Sequence, residues 1–270
     1  MDAGRETLSG HRSGSGFARG GSRFFEFFIE SRRTIMGATL TLLGHSSFLV
    51  KTGGGKTIYI DPWLDGPTCP ERFKTPEKAN LICVTHGHFD HIASILPIYE
   101  NSPCPVAGPY ELVNLLADDG NLPDEHKGLM GKGGTVAFGD VTVTLTHAMH
   151  SSSYVDSGTY AGEPAGLILT LEDGKRIYHA GDTNVFGDMA LIAELYAPDI
   201  CLLPIGSRFT MDPIEAAKAC EILQAKHVVP IHHSTFPPLT GTPAQFQEEV
   251  KKRGLSTQIT VLEPGQEVEV

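Results

Sequence analysis

Three histidines and an aspartate occupy six consecutive positions in the stretch LICVTHGHFDHI at 81–92: His86, His88, Asp90 and His91. The chain holds 12 histidines in 270 residues, so this crowding calls for a chemical reason. In an extended turn His86 and His88 project to the same side and place two imidazoles on one cation. Asp90 and His91 fall on the bend into the next element and point toward a second ion. Imidazole together with carboxylate suits zinc, manganese or iron. Gly87 lets the backbone turn tightly between the two imidazoles.

A two-ion site needs further ligands. They follow three more apolar runs: VTVTLT leads into His147 and His150, RIYHA into Gly181-Asp182-Thr183, and HVVPI into His232-His233. Each run reads as a strand, and each delivers a metal-competent side chain at its C-terminal end, where open α/β sheets build their sites. Any one of these residues alone would read as an ordinary turn or core residue. Their common position is what makes them ligand candidates.

The elements that must position them are legible from periodicity and turn residues. Strands are expected at Thr39–Leu43, Phe48–Thr52, Thr57–Ile60, Ala79–Thr85, Thr135–Phe138, Val141–Thr146, Gly166–Leu171, Arg176–His179, Ile200–Pro204, His227–Ile231 and Thr257–Leu262. Helices are expected at about 91–100 and at Pro109–Ala117, Met189–Leu195, Pro213–Leu223 and Pro243–Arg253. Asp212 before Pro213 is a helix-start signal. Runs of hairpins followed by strand–helix alternation imply one α/β domain, its sheets covered by helices.

Residues 1–37 differ from the rest. The first 35 are rich in Gly, Ser and Arg, with six arginines against four acidic residues. Their one apolar cluster, FFEFFI, is short and broken by Glu26, unlike a signal-peptide core. The expectation is a disordered or non-native-start extension over 1–37 and a folded domain over 38–270.

Bulk properties narrow the function. A net charge of −11 argues against a nucleic-acid binder. No apolar run approaches the ~18 residues of a membrane span. The five cysteines form neither a disulfide framework nor a C-x-x-C pair, which implies reduced thiols and a cytoplasmic setting.

The order Asp61, His86-x-His88-x-Asp90-His91, His150, Asp182, His232 resembles the metallo-β-lactamase superfamily. More narrowly, LLGHSSFLV, IDPW, THGHFDHI, HAMHSS, YHAGDT, LLPIGSRFTM and PIHHSTFP resemble a branch of metal-dependent hydrolases similar to ascorbate-phosphate lactonases and N-acyl-phosphatidylethanolamine phospholipases. The resemblance spans about 38–270. It implies a four-layer αββα sandwich with the site at one edge of the two sheets. It implies that His86, His88 and His150 bind one ion, that Asp90, His91 and His232 bind the other, and that Asp182 bridges both. His232 is preferred to His233 because it directly follows the strand, with His233 as the alternative. The resemblance further implies that Asp61 orients the histidine loop, that His45 in GHSS lines the pocket, and that the protein is a homo-oligomer.

The chemistry that follows is metal-dependent hydrolysis. Two divalent ions about 3.5–4 Å apart, zinc first and manganese or iron as alternatives, would share a bridging hydroxide that cleaves an ester, lactone or phosphodiester bond of a small molecule. Asp90 and Asp182 would anchor the ions and orient the nucleophile, and His45 or His147 would serve as proton donor. Arg208, in GSRFTMD ahead of a helix start, could hold an anionic substrate group. Tyr154, Tyr160 and FPP at 236–238 are candidates for apolar walls. Flavodiiron proteins carry a glutamate where this chain has His88, which disfavours oxygen chemistry. The competing reading is a non-catalytic metal-binding scaffold or interaction module, which turnover on a broad substrate panel would exclude.

Overall fold

A computed structural model describes residues 37–155 and 157–270. The expected extension over 1–37 therefore lies, except for Gly37, outside the described residues. In chain order the elements are β1 (Thr39–Gly44), β2 (Ser47–Lys51), β3 (Thr57–Ile60), β4 (Leu81–Cys83), α1 (Phe89–Ile92), α2 (Ile95–Asn101), β5 (Val106–Pro109), α3 (Tyr110–Gly120), β6 (Lys127–Met130), β7 (Thr135–Phe138) and β8 (Val141–His147). They continue with β9 (Ser153–Tyr154), β10 (Thr159–Tyr160), β11 (Ala165–Thr170), β12 (Arg176–His179), α4 (Met189–Tyr196), β13 (Ile200–Pro204), α5 (Pro213–Leu223), β14 (His227–Ile231), α6 (Pro243–Lys252), β15 (Gln258–Ile259) and β16 (Glu267–Glu269).

Two seven-stranded mixed sheets are built, in the orders β16-β1-β2-β3-β4-β5-β6 and β15-β14-β13-β12-β11-β8-β7. The side-chain alternation of each strand explains why they stack. Phe48 and Val50 of β2, with Ile58 and Ile60 of β3, face one buried cluster, which they share with Leu145, Ile177, Leu202 and Val229 of the second sheet. Leu49 and Tyr59, pointing the other way, pack with α2 and α3 residues such as Ile95, Ile98 and Leu112. On the second sheet Tyr178, Cys201 and Val228 face outward onto Met189, Ala216 and Phe246 of α4, α5 and α6. Central strands buried on both faces read as continuous apolar runs. Three cores between four layers make the expected αββα sandwich.

Helix ends follow local chemistry. Asp212 accepts from the Ile214 and Glu215 backbone N–H groups and closes a capping box with the Glu215 side chain, ahead of Pro213. Thr242 and Gln245 repeat the arrangement on α6.

The structure departs from the sequence expectation in four places. The helix expected at about 91–100 is two, α1 and α2. Strands β5, VAGP, and β6, KGLM, were not expected, being four residues long with glycine or proline within them. The two-stranded β9–β10 hairpin was also unexpected. The closing strand is reduced to Gln258–Ile259, and the last strand, β16, crosses to the first sheet and pairs antiparallel with β1.

Both sheets present the C-terminal ends of their parallel strands at one edge. In the first sheet β1, β3, β4, β5 and β6 run the same way, and in the second β8, β12, β13, β14 and β15. Among the described residues no helix is long and apolar enough to cross a membrane.

Candidate metal centre

At that edge two groups of donor atoms converge. In the first, His88 Nδ1 lies 3.0 Å from His86 Nε2 and 3.3 Å from His150 Nε2. The second gathers His45, Asp90, His91 and His232, with donor atoms within 4.8 Å of one another. Asp182 touches both: its Oδ2 is 3.0 Å from His232 Nε2, 3.6 Å from His150 Nε2 and 4.0 Å from His86 Nε2, while its Oδ1 is 3.3 Å from His91 Nε2. His86 and His88 come from the loop after β4 in one sheet, and Asp90 and His91 from α1, which follows that loop. His150, Asp182 and His232 come from the loops after β8, β12 and β14 in the other.

This donor set fits a divalent cation. Ligand nitrogens bound tetrahedrally at ~2.0–2.1 Å stand roughly 3.3 Å apart, close to the spacing His88 Nδ1 keeps from the Nε2 atoms of His86 and His150. Asp182 Oδ1 and His91 Nε2 are buried, make no well-formed hydrogen bond and lie 3.3 Å apart, an arrangement that is costly unless a proton or a cation satisfies both.

One carboxylate fixes the imidazoles of both groups. Asp61, fully buried after β3, accepts from the Thr85 backbone N–H at 2.8 Å, the Thr85 hydroxyl at 2.6 Å and His91 Nδ1 at 2.7 Å. The Thr85 proton is thus committed, so His86 Nδ1, 3.0 Å from Thr85 Oγ1, must donate to it. Both rings are thereby turned with Nε2 toward Asp182, that of His86 bare.

Charge is distributed to match. Burial, with His91 nearby, holds His86 well below the ordinary histidine value, and burial lowers His150. Burial opposes a proton on His91, but the carboxylates of Asp182, Asp61 and Asp90 outweigh it and hold its pKa well above that value. Burial pushes Asp182 upward, and His232 and His91 overcome it to leave the carboxyl well below its usual range. His45 is lowered to about 4 by burial and by His232.

A pH dependence follows. The surrounding carboxylates favour a proton on His91 in metal-free protein, and an entering cation must displace it. Below the His91 pKa, apparent metal affinity should therefore weaken as pH falls, by about tenfold per unit for one displaced proton. Competition against a chromophoric chelator between about pH 8 and about pH 6 measures this, and a flat profile would contradict it.

Backbone strain concentrates here. His45, Asp61 and His232 all adopt left-handed conformations, with φ of 54°, 46° and 54°. Such residues cost on the order of 1–3 kcal/mol each and persist only where the surroundings hold them. The restraints are cross-sheet hydrogen bonds: His232 N–H to His45 O at 3.0 Å, Ala165 N–H to Thr85 O at 3.0 Å, and His179 Nε2–H to Ser46 O at 2.8 Å. His179 Nδ1 accepts from Gly181 N–H, which fixes the loop carrying Asp182. Gly87 has a different use from the tight turn expected of it. A Cβ there would sit 2.7 Å from Ala161 Cβ and 2.8 Å from Ser153 O, so glycine makes room for the β9–β10 hairpin.

Other candidates fall elsewhere. His233 is half-buried, with Nδ1 on Ser234 Oγ at 2.9 Å, and His232 rather than His233 faces Asp182. His147 accepts from Lys132 Nζ at 3.1 Å and packs on Phe186, outside both groups. Arg208 is exposed over the Phe209 ring and, among the described residues, pairs with no carboxylate. Tyr154 donates to Asp119 and Tyr160 to Glu163, while Phe236 stacks on Trp63. Sequence reading missed Thr85, His179, Trp63 and Thr235, whose hydroxyl lies 2.9 Å from His45 Nδ1. All four stand inside the motifs that carry the resemblance, but their roles depend on distant partners.

Comparison with known proteins agrees with this architecture. A family model described as a beta-lactamase superfamily domain matches residues 56–233, a span that contains every candidate ligand except His45. The chain belongs to that superfamily, as a metal-dependent hydrolase. It is 45% identical over 236 residues to a UPF0173 metal-dependent hydrolase of Rubrobacter xylanophilus, covering 86% of this chain and 96% of that protein. A UPF0173 metal-dependent hydrolase of Solibacter usitatus is 44% identical over 233 residues, covering 85% and 99%. Igni18, a metallo hydrolase from Ignicoccus hospitalis, superposes with a TM-score of 0.76 at 34% identity, covering 87% of this chain and 99% of that one. YhfI of Bacillus subtilis, a metallo-beta-lactamase fold protein, gives 0.67 at 15% identity, covering 87% and 100%, and shares the fold.

Proposed function

We propose that this hydrolase holds two divalent ions, zinc in the first instance, and cleaves an ester, lactone or phosphodiester bond of a small molecule. The observation that carries the reading is Asp182, whose two oxygens face both donor groups at one solvent-reached edge. His86, His88 and His150 would hold one ion, Asp90, His91 and His232 the other, and Asp182 both. Bound there, the pair would supply a water-derived nucleophile at neutral pH and polarise the substrate oxygen.

The chain's own residues do the positioning. His45, neutral at pH 7, donates from Nε2 to Asp90 Oδ2 at 3.0 Å and keeps that carboxylate turned inward. With so low a pKa it is suited to orienting Asp90 and not to supplying a proton as imidazolium. The five cysteines are free and buried, which supports a reducing, cytoplasmic setting. Assembly as a homo-oligomer rests on resemblance.

One preparation tests the function. Metal analysis should return close to two divalent ions per chain, with at least one lost in His86→Ala. Loaded protein should turn over a member of a panel of bis-p-nitrophenyl phosphate, simple esters and lactones, and Asp182→Ala should not. Full loading with no turnover across the panel would favour the non-catalytic scaffold.

A further inference from the structure

Beside the second donor group lies an aromatic corner that the hydrolytic chemistry does not use. Trp63 and Phe236 stack with ring centroids 5.8 Å apart at 30°, and Phe89 meets Trp63 edge-on at 5.5 Å. Both Trp63 and Phe236 approach His45 edge-on, at 5.8 and 5.6 Å. His45 in turn lies 4.0 Å from the His232 ring and hydrogen-bonds Asp90. Phe89 stands in the chain between His88 and Asp90.

All three rings are partly exposed, Phe89 at 38%. Three apolar rings left open to water beside a polar centre are unfavourable for the protein alone. Gly66 lies close against Trp63: a Cβ there would sit 2.9 Å from the indole, so glycine leaves the room the ring occupies. Its extent, three rings at 5.5–5.8 Å spacing, covers one ring of a ligand better than a long chain. Rings arranged face-on and edge-on favour another flat ring through offset-stacked and T-shaped contacts.

We propose that Trp63, Phe89 and Phe236 form a subsite for a flat aromatic group of the substrate, attached within a few bonds of the one cleaved. This deepens the hydrolase reading and rests on it. The substrate class becomes aryl esters, aryl phosphodiesters or ring-fused lactones, with the ring on the His45–Asp90 side of the centre.

The test compares phenylphosphonate with methylphosphonate on zinc-loaded protein by calorimetry, since the two differ only in the ring. Trp63 is the single tryptophan, so its emission reports occupancy of the corner. The expected result is that phenylphosphonate binds about tenfold more tightly and changes the emission. Phe89→Ala and Phe236→Leu should reduce that preference severalfold while methylphosphonate affinity stays unchanged, which also verifies their folding. Protein that holds two ions yet prefers neither phosphonate overturns the subsite and leaves the hydrolase reading standing. So does a preference that survives both substitutions. Protein that retains no zinc and binds neither phosphonate overturns both.

Discussion

Replacing Asp182 by asparagine is expected to lower hydrolysis on the order of 10³-fold, the scale seen when a group acting directly on developing charge is removed. Asp182 is the carboxylate that meets ring nitrogens of both donor groups with both of its oxygens. Its two oxygens lie within 4.0 Å of His86, His91, His150 and His232. Asparagine keeps the shape but puts an NH₂ where one oxygen stood. That group can only donate, so one half of the centre would present hydrogens to a cation. The carboxyl is deprotonated far below its usual range, so the native side chain carries its full charge at any working pH. Elemental analysis should show metal falling from about two ions per chain toward one or none, in parallel with the rate. Two retained ions with an unaltered rate would refute the bridging role.

The second large effect is expected at Asp61, which hydrogen-bonds Thr85 and His91. Asp61→Ala should cost about 3–5 kcal/mol of stability, because the Thr85 N–H, the Thr85 hydroxyl and His91 Nδ1 all lose a buried acceptor. Urea denaturation of metal-free protein reads this as a lower midpoint at constant slope. Asp61→Asn separates support from positioning. It restores one acceptor and much of the stability, but its amide donor confronts the His91 Nδ1–H. The ring would turn its bare nitrogen away from Asp182, and metal affinity should fall ~10–100-fold. If Asp61→Asn bound zinc as tightly as the native chain, the proposed control of the imidazole tautomers would be wrong.

The layered fold and most candidate ligands were legible in the sequence because they are local signals. His86, His88, Asp90 and His91 announce themselves by spacing, and Asp182 and His232 by lying just past apolar strands. The strands that escaped notice, β5 and β6, are short and interrupted by glycine or proline, and only their neighbours in the sheet make them strands. The same holds within the site. Thr85 looks like an ordinary strand end until Asp61, 24 residues earlier, is found against it. His179 looks like a ligand candidate, yet its two nitrogens are engaged by Ser46 and Gly181. The use of Gly87 was misread because the hairpin it accommodates lies some 65 residues on, beginning at Ser153. Relations between distant segments leave no periodic trace.

The His179 contact with Ser46 has a consequence for how the enzyme comes into being. It joins the two sheets beside the metal centre through a neutral imidazole, its pKa lowered by burial, with no ion required. Unlike a zinc finger, which is unfolded until metal arrives, this sandwich is expected to be completed first and loaded afterwards. Cation choice then becomes a matter of which ion is at hand once synthesis is finished, and exchanging one metal for another need not pass through an unravelled chain.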